Sequence, residues 1–270
     1  MKVFLLGGTK DSINIIQHLK NNYDCHILTT TTTEYGAKLA REGGSDETIA
    51  RPLPKDEIKE IIINDNYDLL IDATHPFASH ITQTSASLSK ELDLPYIRFE
   101  RPTTNLENID THNIHYADSF DEAGKLIAEN YPNGNVLHFA GANTMEEILK
   151  HIPVERFYPR ILKVESSIQK CESLNVDPNH IIPMTGAASL EENMELIEKY
   201  DASVMITKES GEVGGVIEKI EAANKKNVAI VMIQRPKIEE LNKNDIVSNL
   251  EELDIKLKKL FLKINAETGI

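Results

Sequence analysis

Tryptophan is absent from this chain of 270 residues, aromatic residues make up only 6% of it, and cysteine occurs twice, as Cys25 and Cys171. Two thiols cannot build a disulfide framework or a zinc quartet, which suits a reducing compartment, and no protein-bound metal is expected. Long apolar runs are missing too. None approaches the roughly 18 residues of a membrane span, and the opening Met1-Lys2-Val3-Phe4-Leu5-Leu6-Gly7-Gly8 breaks too early for a secretion signal. A cytoplasmic location with no membrane partner is expected. Basic charge is in short supply, with 29 Lys and Arg against 43 Asp and Glu and a net charge of −14. That balance excludes nucleic acid as a bulk partner, because phosphate binding needs a basic face. An anionic small ligand would have to be gripped by local clusters, and Arg98, Arg101, Arg160, Lys163 and Lys208 fall near expected strand ends. What remains, 40% hydrophobic and 27% charged, is ordinary for a globular protein; the oligomeric state is left open.

The most informative stretch is Leu69-Leu70-Ile71 followed by Asp72-Ala73-Thr74-His75-Pro76-Phe77-Ala78. A short, continuously apolar run suits a parallel strand buried on both faces. Pro76 pushes His75 out of the helical region, so the histidine is presented at the strand's carboxyl end, with a helix starting near Ser79. In open α/β sheets ligands bind at that edge. A satisfied surface histidine in an ordinary turn would give the same tripeptide, but the pattern recurs. Val204-Met205-Ile206-Thr207 runs into Lys208-Glu209-Ser210-Gly211 and Gly214-Gly215, and each unit continues through a helix and a strand to Arg-Pro. Thr74 to Arg101 and Lys208 to Arg235 have identical spacing. Two related Rossmann-like α/β domains with mainly parallel sheets, facing each other across a cleft, are inferred, although two ordinary βαβ units would also have similar lengths. The division is expected at 1–104 and 105–270, with the polar segment from Thr103 to Asn113 as linker.

Lys2 to Leu6 reads as the first strand, followed by Gly7-Gly8-Thr9-Lys10-Asp11-Ser12 and a helix with Ile15, Ile16 and Leu19 on its apolar stripe. Paired glycines let a pyrophosphate approach the backbone, and the helix amino terminus offers N–H groups and positive dipole. The full G-x-G-x-x-G pattern is missing, so a simple tight turn is the alternative. The next strand, Cys25 to Leu28, ends in Thr29 to Thr33, hydroxyls where an acidic residue would select NAD. This leans toward NADPH over NADH. Residues 41–56 read as a connection, and a helix is expected near 56–64. Further strands are expected at 136–139, 157–162 and 181–184, with capping boxes at Ser119/Glu122, Thr144/Glu147 and Ser189/Glu192. The last helix carries Leu250, Leu253, Leu257, Leu260, Phe261 and Ile264 as a packing face.

Taken together, Gly7-Gly8-Thr9, Thr33-Glu34-Tyr35-Gly36-Ala37, the Asp72 to Ala78 block, Arg98-x-x-Arg101-Pro102 and Thr207-Lys208-x-Ser210-Gly211 closely resemble the precorrin-6A reductase family of cobalamin biosynthesis. The likeness runs through the whole chain in order. It departs at Thr103, where members usually carry an aromatic residue, and at Ala187-Ala188, where Pro-Phe often follows the glycine. The resemblance implies an oxidoreductase that uses NADPH or NADH to saturate one double bond of (cobalt-)precorrin-6A, a polycarboxylate tetrapyrrole, giving the 6B compound. On that basis Gly7, Gly8, Thr9, Ser12, Thr31, Thr32 and Thr33 are expected to serve the cofactor. Thr74, His75, Arg98, Arg101, Lys208 and Ser210 are expected to line the macrocycle, with His75 or Lys208 as proton donor unless solvent supplies the proton. Two rivals use the same parts: a nicotinamide-dependent reductase of another polyanion, and a non-catalytic two-lobed nucleotide or tetrapyrrole sensor. Hydride chemistry separates the sensor from the enzymes.

Overall fold

The structure is a computed structural model that describes residues 1–268, with side chains described through residue 261. The chain begins β1 (Lys2–Leu6), α1 (Lys10–Asn22), β2 (His26–Thr31), α2 (Glu34–Glu42), β3 (Glu47–Ala50), α3 (Lys55–Asn64), β4 (Leu69–Asp72), α4 (Ser79–Leu92) and β5 (Tyr96–Phe99). It continues β6 (Ile114–Ala117), α5 (Phe120–Asn130), β7 (Asn135–His138), α6 (Met145–Leu149), β8 (Phe157–Ile161), α7 (Glu165–Ser173), β9 (Ile182–Pro183), α8 (Leu190–Lys199), β10 (Ala202–Lys208), α9 (Val216–Lys226) and β11 (Ala229–Ile233), and ends β12 (Ile246–Val247) and α10 (Leu250–Thr268).

Among the described residues these strands form two six-stranded sheets, β12-β5-β4-β1-β2-β3 and β6-β11-β10-β7-β8-β9. Every strand pairing in both is parallel. The two orders are one order. β3-β2-β1-β4-β5 corresponds strand for strand to β9-β8-β7-β10-β11, and in each sheet a further strand takes the far edge. This is the doubly wound arrangement, in which the chain reverses direction beside its first strand and leaves a crevice at the carboxyl ends. The repeat inferred from the two Arg-Pro units, as two Rossmann-like α/β domains with parallel sheets, is therefore a repeat of whole sheets.

Alternation along β1 explains the layering of the first sheet, since successive side chains point to opposite faces. Val3 and Leu5 pack with Ile15 and Leu19 of α1, while Phe4 and Leu6 pack with Ile58 and Ile62 of α3 and with Leu88 of α4. In the second sheet, Leu137, Met205 and Ile230 bury one face against Ile220 and Ala223 of α9 and Ile197 of α8.

The compact units are residues 1–102 with 237–270, and residues 103–236. The expectation that everything after 104 forms one domain is corrected by the carboxyl-terminal segment. β12 pairs with β5 through Ile246–Arg98 and Val247–Phe99, and Val247, Leu253 and Leu257 are buried in the first core. Burying a large aliphatic side chain is worth about 1.5–3 kcal/mol, so these three side chains give the segment a strong reason to return. Ile264, expected on the same packing face, lies outside the residues whose side chains are described.

Local expectations fared unevenly. Ser189 and Glu192 form the reciprocal capping box, and Ser119 accepts from the Glu122 amide at 3.1 Å. Thr144 caps nothing; its hydroxyl donates to the Gly141 carbonyl at 2.8 Å. The stretch read as a connection contains β3.

Candidate functional site

In the first unit the reversal of strand order falls between β1 and β4, and their carboxyl ends open into a cavity of about 300 Å³. Gly7, Gly8 and Thr9 line it from the first turn, Thr30, Thr31 and Thr32 from the end of β2, and Thr74 and His75 from the loop after β4. Arg51, Pro52 and Leu53 close one wall, and His80 and Ile81 of α4 contribute another.

The two glycines play different parts. Gly7 donates to the Thr30 carbonyl at 2.8 Å, and a Cβ there would fall 2.9 Å from Thr29 Cγ2, so it is needed for packing. Gly8 has φ +99°, and a Cβ on it would meet nothing within 4 Å. Only glycine adopts that backbone without strain, and the open space over it is where a ligand can come against the main chain.

Thr9 caps α1. Its hydroxyl accepts from the Ser12 amide at 3.1 Å and donates to the Ala73 carbonyl at 2.7 Å, tying the first turn to the loop after β4. The Ser12 hydroxyl donates to the Thr9 carbonyl at 2.7 Å and the side chain is fully buried. Ser12, expected to touch the cofactor, is therefore a capping residue behind the turn. Thr33 is also displaced from the expectation, since it caps α2 by accepting from the Gly36 amide at 3.1 Å while Thr31 and Thr32 face the cavity.

The loop after β4 is held from beneath. Asp72 Oδ1 accepts from the Thr74 amide at 2.9 Å, from the Thr74 hydroxyl at 2.6 Å and from Arg98 Nη1 at 2.8 Å. Tyr96 donates to the other Asp72 oxygen at 3.3 Å. Arg98 is wholly buried and also pairs with Glu100 at 3.2 Å. Its expected place lining the macrocycle is corrected: β5 brings it in beneath the sheet edge, where it is the counter-charge of Asp72. Arg101 pairs with Asp11 at 2.7 Å, linking the Arg-Pro segment to the start of α1. His75 Nδ1 accepts from the Phe77 amide at 3.2 Å, so in the neutral ring Nε2 carries the proton.

Lys208 and Ser210 belong to the corresponding position of the second unit, at the end of β10. Burial pushes the Lys208 ammonium down to about 8. Ser210 is buried under the Gly211–Gly215 turn, so tightly that a Cβ on Gly214 would overlap its hydroxyl. Glu209 accepts from the Thr104 amide at 2.9 Å and pairs with Arg235, fastening that turn.

Sequence reasoning missed Arg51 and His80. Arg51 follows a four-residue strand too short to stand out, and His80 sits in the first turn of α4, of which the sequence marks only the start, near Ser79. Among the described residues no group of three or more His, Cys, Asp or Glu could hold a metal ion, and no helix is long and apolar enough to cross a membrane.

The parallel sheets, their order and the cavity at the first reversal define a protein of the doubly wound α/β class, with a ligand-sized cavity where such folds carry their sites. Residues 2–256 match the family described as Precorrin-6x reductase CbiJ/CobK, and the chain belongs to that family. Among curated proteins it is similar to the cobalt-precorrin-6A reductase of Methanothermobacter thermautotrophicus, 36% identical over 94% of this chain and 82% of the relative. It is also similar to that of Methanocaldococcus jannaschii, 38% identical over 88% and 92%. Among solved structures it resembles a CobK precorrin-6A reductase with a TM-score of 0.74 and 15% identity, over 96% of this chain and 97% of the other, a likeness of fold.

Proposed function

We propose that the chain is a cobalt-precorrin-6A reductase that takes its reducing equivalent from a nicotinamide dinucleotide, with NADPH preferred. The observation that carries this reading is the open, positive-φ Gly8 in the cavity at the first sheet's reversal, in a chain whose family and curated relatives are precorrin-6 reductases.

The residues fit a dinucleotide. Gly8 and the amino terminus of α1 present main-chain N–H groups and positive dipole to a pyrophosphate. Leu53, Ile58 and Ile81 offer apolar wall, and Thr31, Thr32 and Arg51 offer hydroxyls and a guanidinium. A guanidinium is the group that distinguishes a 2′-phosphate from a 2′-hydroxyl. When bound, the reduced nicotinamide supplies the hydride.

The chain's own residues do the rest. The Asp72–Arg98–Thr74 network fixes the loop that carries His75, so that Nε2–H projects as a directed hydrogen-bond donor. A neutral ring that accepts from the Phe77 amide at Nδ1 is poorly suited to deliver a proton, since full protonation would break that bond. The proton that completes saturation is therefore assigned to Lys208, whose burial brings its acidity toward working pH.

Anaerobic mixing of the purified protein with cobalt-precorrin-6A and NADPH tests the reading. Loss of the reduced-nicotinamide absorbance, in proportion to the tetrapyrrole added, is expected. Folded protein that oxidises neither NADPH nor NADH in the presence of this substrate would overturn it.

A further inference from the structure

The second unit repeats the strand order of the first, so it has a reversal of its own between β7 and β10, and three cations, Lys208, Arg160 and Lys219, gather around it. Lys208 stands at the end of β10. The parallel register that pairs Ile206 with His138 carries it to the level of Ala140-Gly141. Arg160 lies near the end of β8, and Lys219 is in the first turns of α9.

Two of these are held in an unusual way. Lys219 is only 3% exposed and donates to the Gly214 carbonyl at 2.7 Å. Arg160 donates from Nη2 to the Gly186 carbonyl at 3.0 Å and lies with its guanidinium carbon 5.0 Å from the centre of the Phe139 ring. Its Nη1 is buried with no hydrogen-bond partner among the described residues. The loops whose carbonyls hold them meet: a Cβ on Gly215 would lie 3.0 Å from that of Ala187 and 3.7 Å from Glu218 Oε2. Arg160 and Lys208 are both near enough for their charges to act on Lys219.

Such a cluster is costly to assemble. A buried cation needs a counter-charge or several hydrogen bonds, yet carbonyl oxygens are the partners holding Arg160 and Lys219. Glu218, whose Oε2 is itself buried without a hydrogen-bond partner, is the acidic group that acts on Lys219, and Glu192 is the one that acts on Arg160. A carboxylate arriving from outside would pair with Arg160 Nη1 and add a directly hydrogen-bonded counter-charge to the cluster. Stability is not the reason to keep these residues, because apolar side chains of similar volume would pack there at less cost.

We propose that Arg160 and Lys219, in the field of Lys208, form a carboxylate-binding site at the second sheet's reversal, which receives one acidic side chain of the tetrapyrrole. The proposal rests on the reductase reading and adds the residues that hold the substrate's periphery. It separates the two sheet reversals by ligand: the glycine-lined first one takes the dinucleotide, and the cation-lined second one takes a substrate carboxylate.

The test compares Lys219→Met and Arg160→Gln, each of which removes the positive charge, with the wild-type protein. Each is expected to raise KM for cobalt-precorrin-6A about tenfold and to weaken binding of that compound by a similar factor in an absorbance titration without dinucleotide. KM for NADPH should stay at its wild-type value. An unchanged substrate KM in both folded variants, or equal changes for substrate and NADPH, would overturn the proposal. Should both variants fail to fold, Glu218→Gln keeps it testable. Removing the cluster's own anion is expected to lower the substrate KM, and an unchanged or raised KM would overturn the site. Wild-type turnover is measured alongside. Its absence counts against the reductase reading, whereas turnover with unaltered variants counts against this site alone.

Discussion

Arg98 Nη1 lies 2.8 Å from Asp72 Oδ1, and neither side chain is exposed to solvent. The pair joins neighbouring strands, since Asp72 and Arg98 are register partners of β4 and β5, and the same Asp72 oxygen also fixes Thr74. Removing one member of a buried pair strands the other, at a cost of about 3–5 kcal/mol. Arg98→Met is therefore expected to lose about that much stability in chemical denaturation, and to lose activity because the His75 loop is no longer held. A loss below about 1 kcal/mol, the size of a surface pair, would mean that the buried geometry is not what holds the loop.

Dinucleotide binding separates the roles of Gly8 and Arg51. Gly8→Val introduces strain at φ +99° and places branched carbon in the space over the turn; it is expected to weaken NADPH and NADH alike. Arg51→Leu should weaken NADPH by roughly 10–100-fold, the worth of a charge-assisted contact, and leave NADH nearly unchanged. Isothermal titration of the four combinations decides this. Equal losses for both dinucleotides in the Arg51 variant would remove it from the 2′-phosphate.

Lys208 acts as a proton donor only while it is an ammonium. Because burial lowers it to about 8, kcat is expected to hold at lower pH and to fall as the pH rises through about 8. Lys208→Met should lower kcat by about 100-fold or more, at the lower end of what general acid catalysis contributes, and flatten that limb of the profile. A descending limb that survives the substitution would assign the proton elsewhere.

His138 supplies a stability prediction of definite sign. Fully buried, it is pushed down to about 3, chiefly by desolvation. The unfolded chain takes up a proton on it below about 6.5, while the folded protein does not do so until about 3. Stability tied to this residue is therefore complete above pH 6.5 and is lost as the pH falls, by up to about 1.4 kcal/mol per unit. Thermal unfolding followed from pH 7 to pH 4 should show a slope that is shallower in His138→Gln. Equal slopes in the two proteins would mean that the acid sensitivity arises at other groups.

Much of the architecture was legible because it is written in local pattern. The continuous apolar runs at β4 and β10, the glycine turn after β1 and the matched Arg-Pro segments depend on neighbours in sequence, and they marked strand ends that the sheet order then places at the two reversals. The return of β12 and α10 to the first unit was not legible. An amphipathic helix states that it has a partner without stating which core supplies it. Site residues divided along the same line. Gly8, Thr31, Thr74 and His75, singled out by strand-end position, line the first cavity. Ser12 and Arg98 were misplaced because a hydroxyl near a turn and an arginine at a strand end look alike whether they face a ligand or a carboxylate beneath the sheet. Lys219 was invisible, since a lysine within an amphipathic helix reads as part of its wet face, whereas the fold buries it against the Gly214 carbonyl.

The most direct test of the account follows the hydride itself. NADPH carrying deuterium at the reactive carbon of the nicotinamide is mixed anaerobically with the protein and cobalt-precorrin-6A, and the tetrapyrrole product is weighed by mass spectrometry. With each face of the nicotinamide labelled in turn, one of the two preparations is expected to give product that carries the label on a carbon of the macrocycle. Reduced tetrapyrrole that is unlabelled in both preparations, formed while NADPH is consumed, would contradict direct transfer and with it the assignment of the first cavity to the dinucleotide.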